Sequence, residues 1–324
     1  MKSTTGHTPR ILITGSRGLI GTALAAALNQ AGYGVQGLDP RALGESHGDI
    51  RNRSDVERAL AGCVGVVHLG AVSRVIDGER APAVCWATNV DGTRNILDTA
   101  LAQSRRPWVV YASSREVYGQ PPSLPATEDT PRVPVNIYGR SKVAAEDLVC
   151  ASPLLTTIVR FSNVYGWSGD HGDRVVPAFA RQAAEGHPLR VDGSAHTFDF
   201  THLDDTVQGL LAVIGRLEQG LELPPLHFVT GQATTLGQLA RMSVDLAESR
   251  STIHEAPPRS YDVHNFYGDT TRAAQVLGWQ AQVSIRDGLA RLIRDFQILQ
   301  ERGLLAHPVT GSGPVEPAAG SIVQ

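Results

Sequence analysis

Ile11-Leu12-Ile13-Thr14-Gly15-Ser16-Arg17-Gly18-Leu19-Ile20-Gly21 is the stretch on which the reading of the chain turns. A short apolar run ends in glycine, and two more glycines at intervals of three lead into Leu19–Ala31, rich in Ala and Leu and helical in composition. In such a strand–turn–helix unit Gly15 permits the tight turn. Gly18 lets backbone approach a diphosphate at the helix N-terminus, and Gly21 lets helix and strand pack closely. Arg17, Leu19 and Ile20 share this loop and first helical turn and are expected at the same ligand. A glycine triplet alone also describes a loop with no ligand, so its partners decide. Asp39 lies eighteen residues past Gly21 and closes the next strand, Gly34–Leu38. A carboxylate there accepts hydrogen bonds from both ribose hydroxyls of an adenosine and repels a 2′-phosphate, which predicts NAD over NADP. Arg41 is placed to soften that preference. Asp49-Ile50 falls where a later loop meets the adenine; a plain turn aspartate is the alternative.

Working outward, apolar runs at Val64–His68, Trp108–Ala112 and Leu155–Arg160 alternate with helical stretches at Val84–Ala102 and Ile137–Cys150. Ser54-Asp55-Val56-Glu57 has the form of a capping box opening a short helix to Leu60. The alternation predicts an α/β fold with a doubly wound parallel sheet. It weakens after Phe161, where loops lengthen and helices remain at Leu203–Arg216, Leu236–Glu248, Thr271–Leu277 and Ile285–Arg302. The expected organisation is a flexible N-terminus over 1–8 and a NAD-binding domain over 9–163, to which 199–217 and about 226–234 return. A smaller, interleaved C-terminal substrate-binding part takes 164–198 and 235–302, and 303–324 reads as a disordered tail.

Composition excludes several classes. The 324 residues carry a net charge of −3, so there is no basic field for nucleic acid or an anionic membrane. No apolar run approaches a membrane span of ~18 residues, and the first eight residues lack a signal-peptide core, so a cytoplasmic protein is expected. Cys63, Cys85 and Cys150 have no metal-ligand spacing and read as buried small side chains in a reducing compartment. His68, His171, His196, His202 and His227 form no metal pattern, so no metal is expected. Asp204-Asp205 reads as helix capping.

Of 29 Lys and Arg residues only Lys2 and Lys142 are lysine, so a position that keeps Lys needs an ammonium rather than a guanidinium. Tyr138-Gly139-Arg140-Ser141-Lys142 sets Tyr and Lys four apart, on one helix face. The ammonium, with a positive nicotinamide, is expected to lower the phenol pKa so that Tyr138 takes a hydroxyl proton as hydride leaves the same carbon.

With the glycine loop, Asp39 and this pair, the chain resembles the extended short-chain dehydrogenase/reductase superfamily, in its NAD-dependent sugar-nucleotide epimerase/dehydratase branch (UDP-glucose 4-epimerase-like). His68-Leu69-Gly70-Ala71, Thr88-Asn89-Val90-Asp91-Gly92-Thr93, Ala112-Ser113-Ser114-Arg115-Glu116-Val117-Tyr118-Gly119, Arg160-Phe161-Ser162-Asn163-Val164-Tyr165-Gly166 and Leu277-Gly278-Trp279 resemble further motifs of that branch, so the match runs from about residue 10 to 295. The resemblance implies a Rossmann-type fold, a nucleotide-sugar substrate and a homodimer paired through the helices at Val84–Ala102 and Ile137–Cys150. It implies that Leu69, Gly70, Ala71, Asn89, Tyr138 and Lys142 face the cofactor, and that Ser73, Ser114, Asn163 and Arg259 face the substrate. Ser114 would hydrogen-bond the reacting hydroxyl. Glu116 reads either as a proton-transfer group or as a loop carboxylate paired to an Arg. Dehydratases of the family place Asp where Arg115 stands, and the family often places a diphosphate-binding Arg where Phe198 stands. The reading favoured is an epimerase acting through a 4-keto intermediate. The alternatives are a dehydratase or decarboxylase using Glu116, then a reductase or a non-catalytic NAD-binding protein.

Overall fold

In the computed structural model, which describes residues 8–258 and 263–304, the apolar runs form strands and the stretches between them helices. In chain order these are β1 (Arg10–Thr14), α1 (Leu19–Gln30), β2 (Gly34–Leu38), α2 (Arg53–Leu60), β3 (Cys63–His68), α3 (Val75–Arg80), α4 (Pro82–Trp86), α5 (Gly92–Ala102), β4 (Trp108–Ser114), α6 (Ile137–Ala151) and β5 (Thr156–Phe161). There follow β6 (Asn163–Tyr165), α7 (Val175–Glu185), β7 (Leu189–Asp192), β8 (Thr197–Phe198), β9 (Phe200–His202), α8 (Leu203–Glu218), β10 (Leu226–Phe228), β11 (Thr234–Thr235), α9 (Leu236–Leu246), β12 (Ile253–Ala256), α10 (Thr271–Leu277) and α11 (Ile285–Glu301).

Six strands form one parallel sheet in the order β10-β5-β4-β3-β1-β2. Alternate side chains of each strand enter opposite cores, which is why the strands read as continuous apolar runs. Ile11 and Ile13 of β1 pack with Leu24 and Leu28 of α1 and Leu210 of α8. Leu12 faces the other way, toward Val56 of α2, Ile96 of α5 and Ala145 of α6. The strand order reverses between β1 and β3, with Thr14 in register with His68, so the loops after both strands open into one crevice. A third core joins Phe179 of α7, Leu189 of β7, Leu239 of α9 and Leu292 of α11. Three small strand pairs stand apart from the main sheet: β6 with β9, β7 with β12 and β8 with β11, with Leu189 and Val191 of β7 lying in the third core.

Some local expectations are corrected. The cap of α2 is Asn52, whose side chain accepts from the Ser54 N–H at 3.1 Å; a polar residue two positions earlier takes the role expected of Ser54. The helix expected at Val84–Ala102 begins at Pro82 and widens into a π-type turn at Ala87–Asp91. His202 caps α8, while Asp205 is buried and accepts from the N–H groups of Gln282 and Val283. Cys150 is exposed, unlike Cys63 and Cys85, because it falls on the outer face of α6. No described helix is long and apolar enough to cross a membrane.

Candidate active site

The glycine loop is a cradle that admits no side chains. Gly15 has φ +69°, and a Cβ there would lie 2.9 Å from the Gly70 nitrogen, so the loops after β1 and β3 touch through bare backbone. A Cβ on Gly21 would lie 2.3 Å from the Gly15 oxygen. Gly18 stands at the N-cap of α1 in extended conformation, with no side chain in use there, which leaves the first N–H groups of the helix for an anion. Thr14 Oγ1 accepts from the Gly70 N–H at 2.9 Å and lies 2.7 Å from His68 Nδ1. His68 Nε2 reaches Thr93 Oγ1 at 3.0 Å, and burial, then the Lys142 charge, pushes its pKa down to about 3. A neutral imidazole thus ties the two loops to α5. These features fit a dinucleotide diphosphate.

Asp39 directly follows β2 and is 1% exposed. Burial works against its charge, but Arg41, hydrogen-bonding both carboxylate oxygens, and the N–H groups of Arg41 and Arg17 outweigh it and hold its carboxyl below the usual range. Asp49 is likewise gripped by Arg51, at 2.6 Å, while Ile50 is buried against Gly92. Asn89 sits in the π-type turn. Its amide donates to the Val72 carbonyl at 3.1 Å and to Ser141 Oγ at 2.8 Å, and its oxygen accepts from the Val72 N–H at 2.8 Å. Asn89 therefore fixes the loop that carries Leu69, Gly70 and Ala71 against α6.

The crevice continues into a cleft of about 850 Å³ lined by Ile20, Leu69, Ala71, Ser73, Ser114, Arg115, Glu116, Tyr138, Lys142, Asn163 and Phe198. The sequence scatters these residues over 179 positions, and the sheet's carboxyl edge collects them. Asn136 caps α6 through the Gly139 N–H at 2.7 Å, fixing the turn that presents Tyr138. Lys142 Nζ donates to the Ala112 carbonyl at 2.8 Å and lies 5.9 Å from the Tyr138 ring centroid. Burial lowers its pKa to about 8. Tyr138 hydrogen-bonds Ser114, and Arg174 adds a nearby positive charge, yet burial dominates and pushes the phenol up to about 12. The expected lowering is thus not achieved by the chain's own charges: the desolvation of the phenolate exceeds what Ser114 and Arg174 return.

Both carboxylate oxygens of Glu116 have partners. Its Oε1 lies 2.9 Å from Arg115 Nη2, and its Oε2 accepts from Asn136 Nδ2 at 2.8 Å. The Arg115 guanidinium lies 4.6 Å over the Phe198 ring centroid, so an arginine contacts the residue at that place. Ser73 accepts from Arg174 at 3.3 Å. Its neighbour Arg74 pairs with Asp173, so two adjacent contacts bridge the cleft mouth. Arg259 lies outside the described residues. Sequence reasoning passed over Asn136, Arg174 and the bracing role of Asn89. Only Asn136 carried a local signal, an Asn directly before a helix.

A family profile described as the NAD dependent epimerase/dehydratase family matches residues 11–229. UDP-glucose 4-epimerase of Mycolicibacterium smegmatis is 29% identical over 317 residues, covering 89% of this chain and 98% of that protein. UDP-glucuronic acid decarboxylase 2 of Arabidopsis thaliana is 28% identical over 310 residues, covering 89% of this chain and 68% of that protein. Among solved structures, that of MoeE5 in complex with UDP-glucose and NAD is similar at a TM-score of 0.82 and 28% identity, covering 91% of this chain and 100% of that one.

Proposed function

Because the chain belongs to the NAD dependent epimerase/dehydratase family, and is an enzyme of it, we propose that it epimerises a nucleotide-linked sugar through a transient 4-keto intermediate. The observation that carries this reading is the state of Glu116, whose two oxygens are both engaged, one by a guanidinium and one by an amide. A carboxylate so held is a poor proton shuttle, which disfavours elimination or decarboxylation and leaves the Ser114–Tyr138–Lys142 set to work alone. Ser114 donates to and accepts from the C4 oxygen. Tyr138 takes the proton of that hydroxyl and later returns it, and Lys142 supports the phenolate. NAD, held by the glycine loop and Asp39, would supply the hydride acceptor for C4 and a positive charge that favours the phenolate.

Gly15, Gly18 and Gly21, with the N-terminus of α1, would hold the diphosphate. Buried Asp39 at the end of β2 supports NAD over NADP, and Asp49 and Ile50 would flank the adenine. Asn163 lines the cleft beyond Tyr138 and would meet the nucleotide sugar, as would Ser73 and Arg259. Exposed Val84 and Trp86, at the start of the α4–α5 helix, support a homodimer paired through α5 and α6. A cytoplasmic location accords with the uncrosslinked cysteines. A second reading, decarboxylation or dehydration with Glu116 in proton transfer, is favoured by its place two residues from Ser114, within the same cleft.

The test is mass spectrometry of products from nucleotide-hexoses and nucleotide-uronates with no added cofactor, after identifying the dinucleotide released on denaturation. An isomer of unchanged mass with NAD released supports epimerisation. Loss of water or carbon dioxide moves the assignment to a lyase, and net consumption of NAD in a parallel sample supplied with it moves the assignment to a dehydrogenase.

A further inference from the structure

Arg115 and Glu116 follow Ser114 directly and line the cleft that holds Tyr138, yet neither is needed to move the C4 hydroxyl proton. A 4-keto sugar brings a hazard with it, because the C–H bonds beside a ketone become acidic. Any free carboxylate in the cleft can remove such a proton and open exchange or elimination. Glu116 is the carboxylate next to the reacting groups, and its negative charge is felt at Tyr138.

We infer that Arg115 is a specificity-determining residue: by holding Glu116 in an ion pair it keeps that carboxylate from deprotonating the carbon beside the ketone, and so confines the reaction to epimerisation. The inference rests on the 4-keto reading above. The pair is short, 2.9 Å, with side chains 10% and 7% exposed, so water does not screen it. Rotation of Arg115 away is opposed by its stack, 4.6 Å from the Phe198 ring centroid and 5.8 Å from that of Phe266. Asn136 holds the second oxygen from the N-cap of α6. A guanidinium beside a carboxylate favours its charged form and lowers its basicity. Without Arg115, one Glu116 oxygen would be left without its guanidinium partner and only the Asn136 amide would hold the carboxylate. The suppressed step is the transfer of a proton from the carbon beside the ketone to a Glu116 oxygen. The electron pair of that C–H bond passes to the ketone oxygen as an enolate held by Tyr138 and Ser114, and reprotonation reverses the step.

Turnover in D2O reads this directly, with solvent deuterium in the sugar measured by mass spectrometry and reduced cofactor by absorbance at about 340 nm. Wild type is expected to give the isomer with deuterium confined to hydroxyls. Arg115→Met is expected to incorporate carbon-bound deuterium about tenfold or more above wild type, a general-base effect. Arg115→Met/Glu116→Gln returns it to background. Arg115→Gln, which keeps a donor but no charge, gives the same readout if the Met variant does not fold. Reduced cofactor without exchange in the Arg115 variants overturns the inference and leaves the 4-keto reading standing, as does exchange that survives in the double variant. If neither wild type nor any variant forms an isomer or reduced cofactor on any nucleotide-hexose or nucleotide-uronate, the 4-keto reading falls and the inference falls with it.

Discussion

Lys142 carries a desolvation penalty in the native state. Burial depresses its pKa from 10.5 to about 8, so between those values the unfolded chain binds more protons than the native one. Stability therefore rises with pH through that window, and the cost, on the order of 3 kcal/mol, is present in full below pH 8. Lys142→Met is expected to raise Tm at pH 7 while abolishing turnover, and thermal melts beside an activity assay check both halves. An unchanged or lower Tm would mean that the bond from Nζ to the Ala112 carbonyl outweighs the desolvation. The Tyr138–Lys142 spacing was legible because lysine is so scarce in this chain. The state of Glu116 was legible only as one of two alternatives, since its adjacent Arg115 was visible but Asn136, twenty residues on, was not. The direction of the Tyr138 shift was not legible at all, because burial, rather than neighbouring charge, sets it.

At the scale of elements, the junction of β1, α1 and β3 is the least tolerant place. Gly21→Ala puts a methyl 2.3 Å from the Gly15 carbonyl, inside any real contact, and the obstacle is backbone rather than a movable side chain. The loop must shift, and cofactor affinity is expected to fall at least about tenfold while the sheet stays folded. Titration calorimetry with NAD and far-UV circular dichroism test the two parts, and retained affinity would show that the loop yields more easily than its packing suggests. The long strands and helices followed from periodicity and glycine placement. The pairs β6 with β9 and β8 with β11 did not, since elements of two or three residues have no period to read. Helix α7 was missed because Pro177 stands in its first turn, where proline is tolerated but looks like a breaker in isolation.

At the scale of the molecule, the main sheet is not built from one continuous segment. The chain leaves the main sheet after β5, builds β6 to α8, and returns as β10 to pair beside β5 before completing the third core. A fragment of residues 8–163 would expose the edge of β5 and lack α8, which covers one face of the sheet. It is expected to be insoluble or to unfold without cooperativity, and expression with a urea titration checks this; a cooperatively folding fragment would show that β10 and α8 are dispensable.

The return of β10 also has a consequence for synthesis on the ribosome. The six-stranded parallel sheet cannot be finished when the first 161 residues have emerged, because its last strand is encoded at 226–228. Throughout that interval the nascent chain presents an open strand edge, and it is there, rather than at the chain's end, that a chaperone would find its substrate.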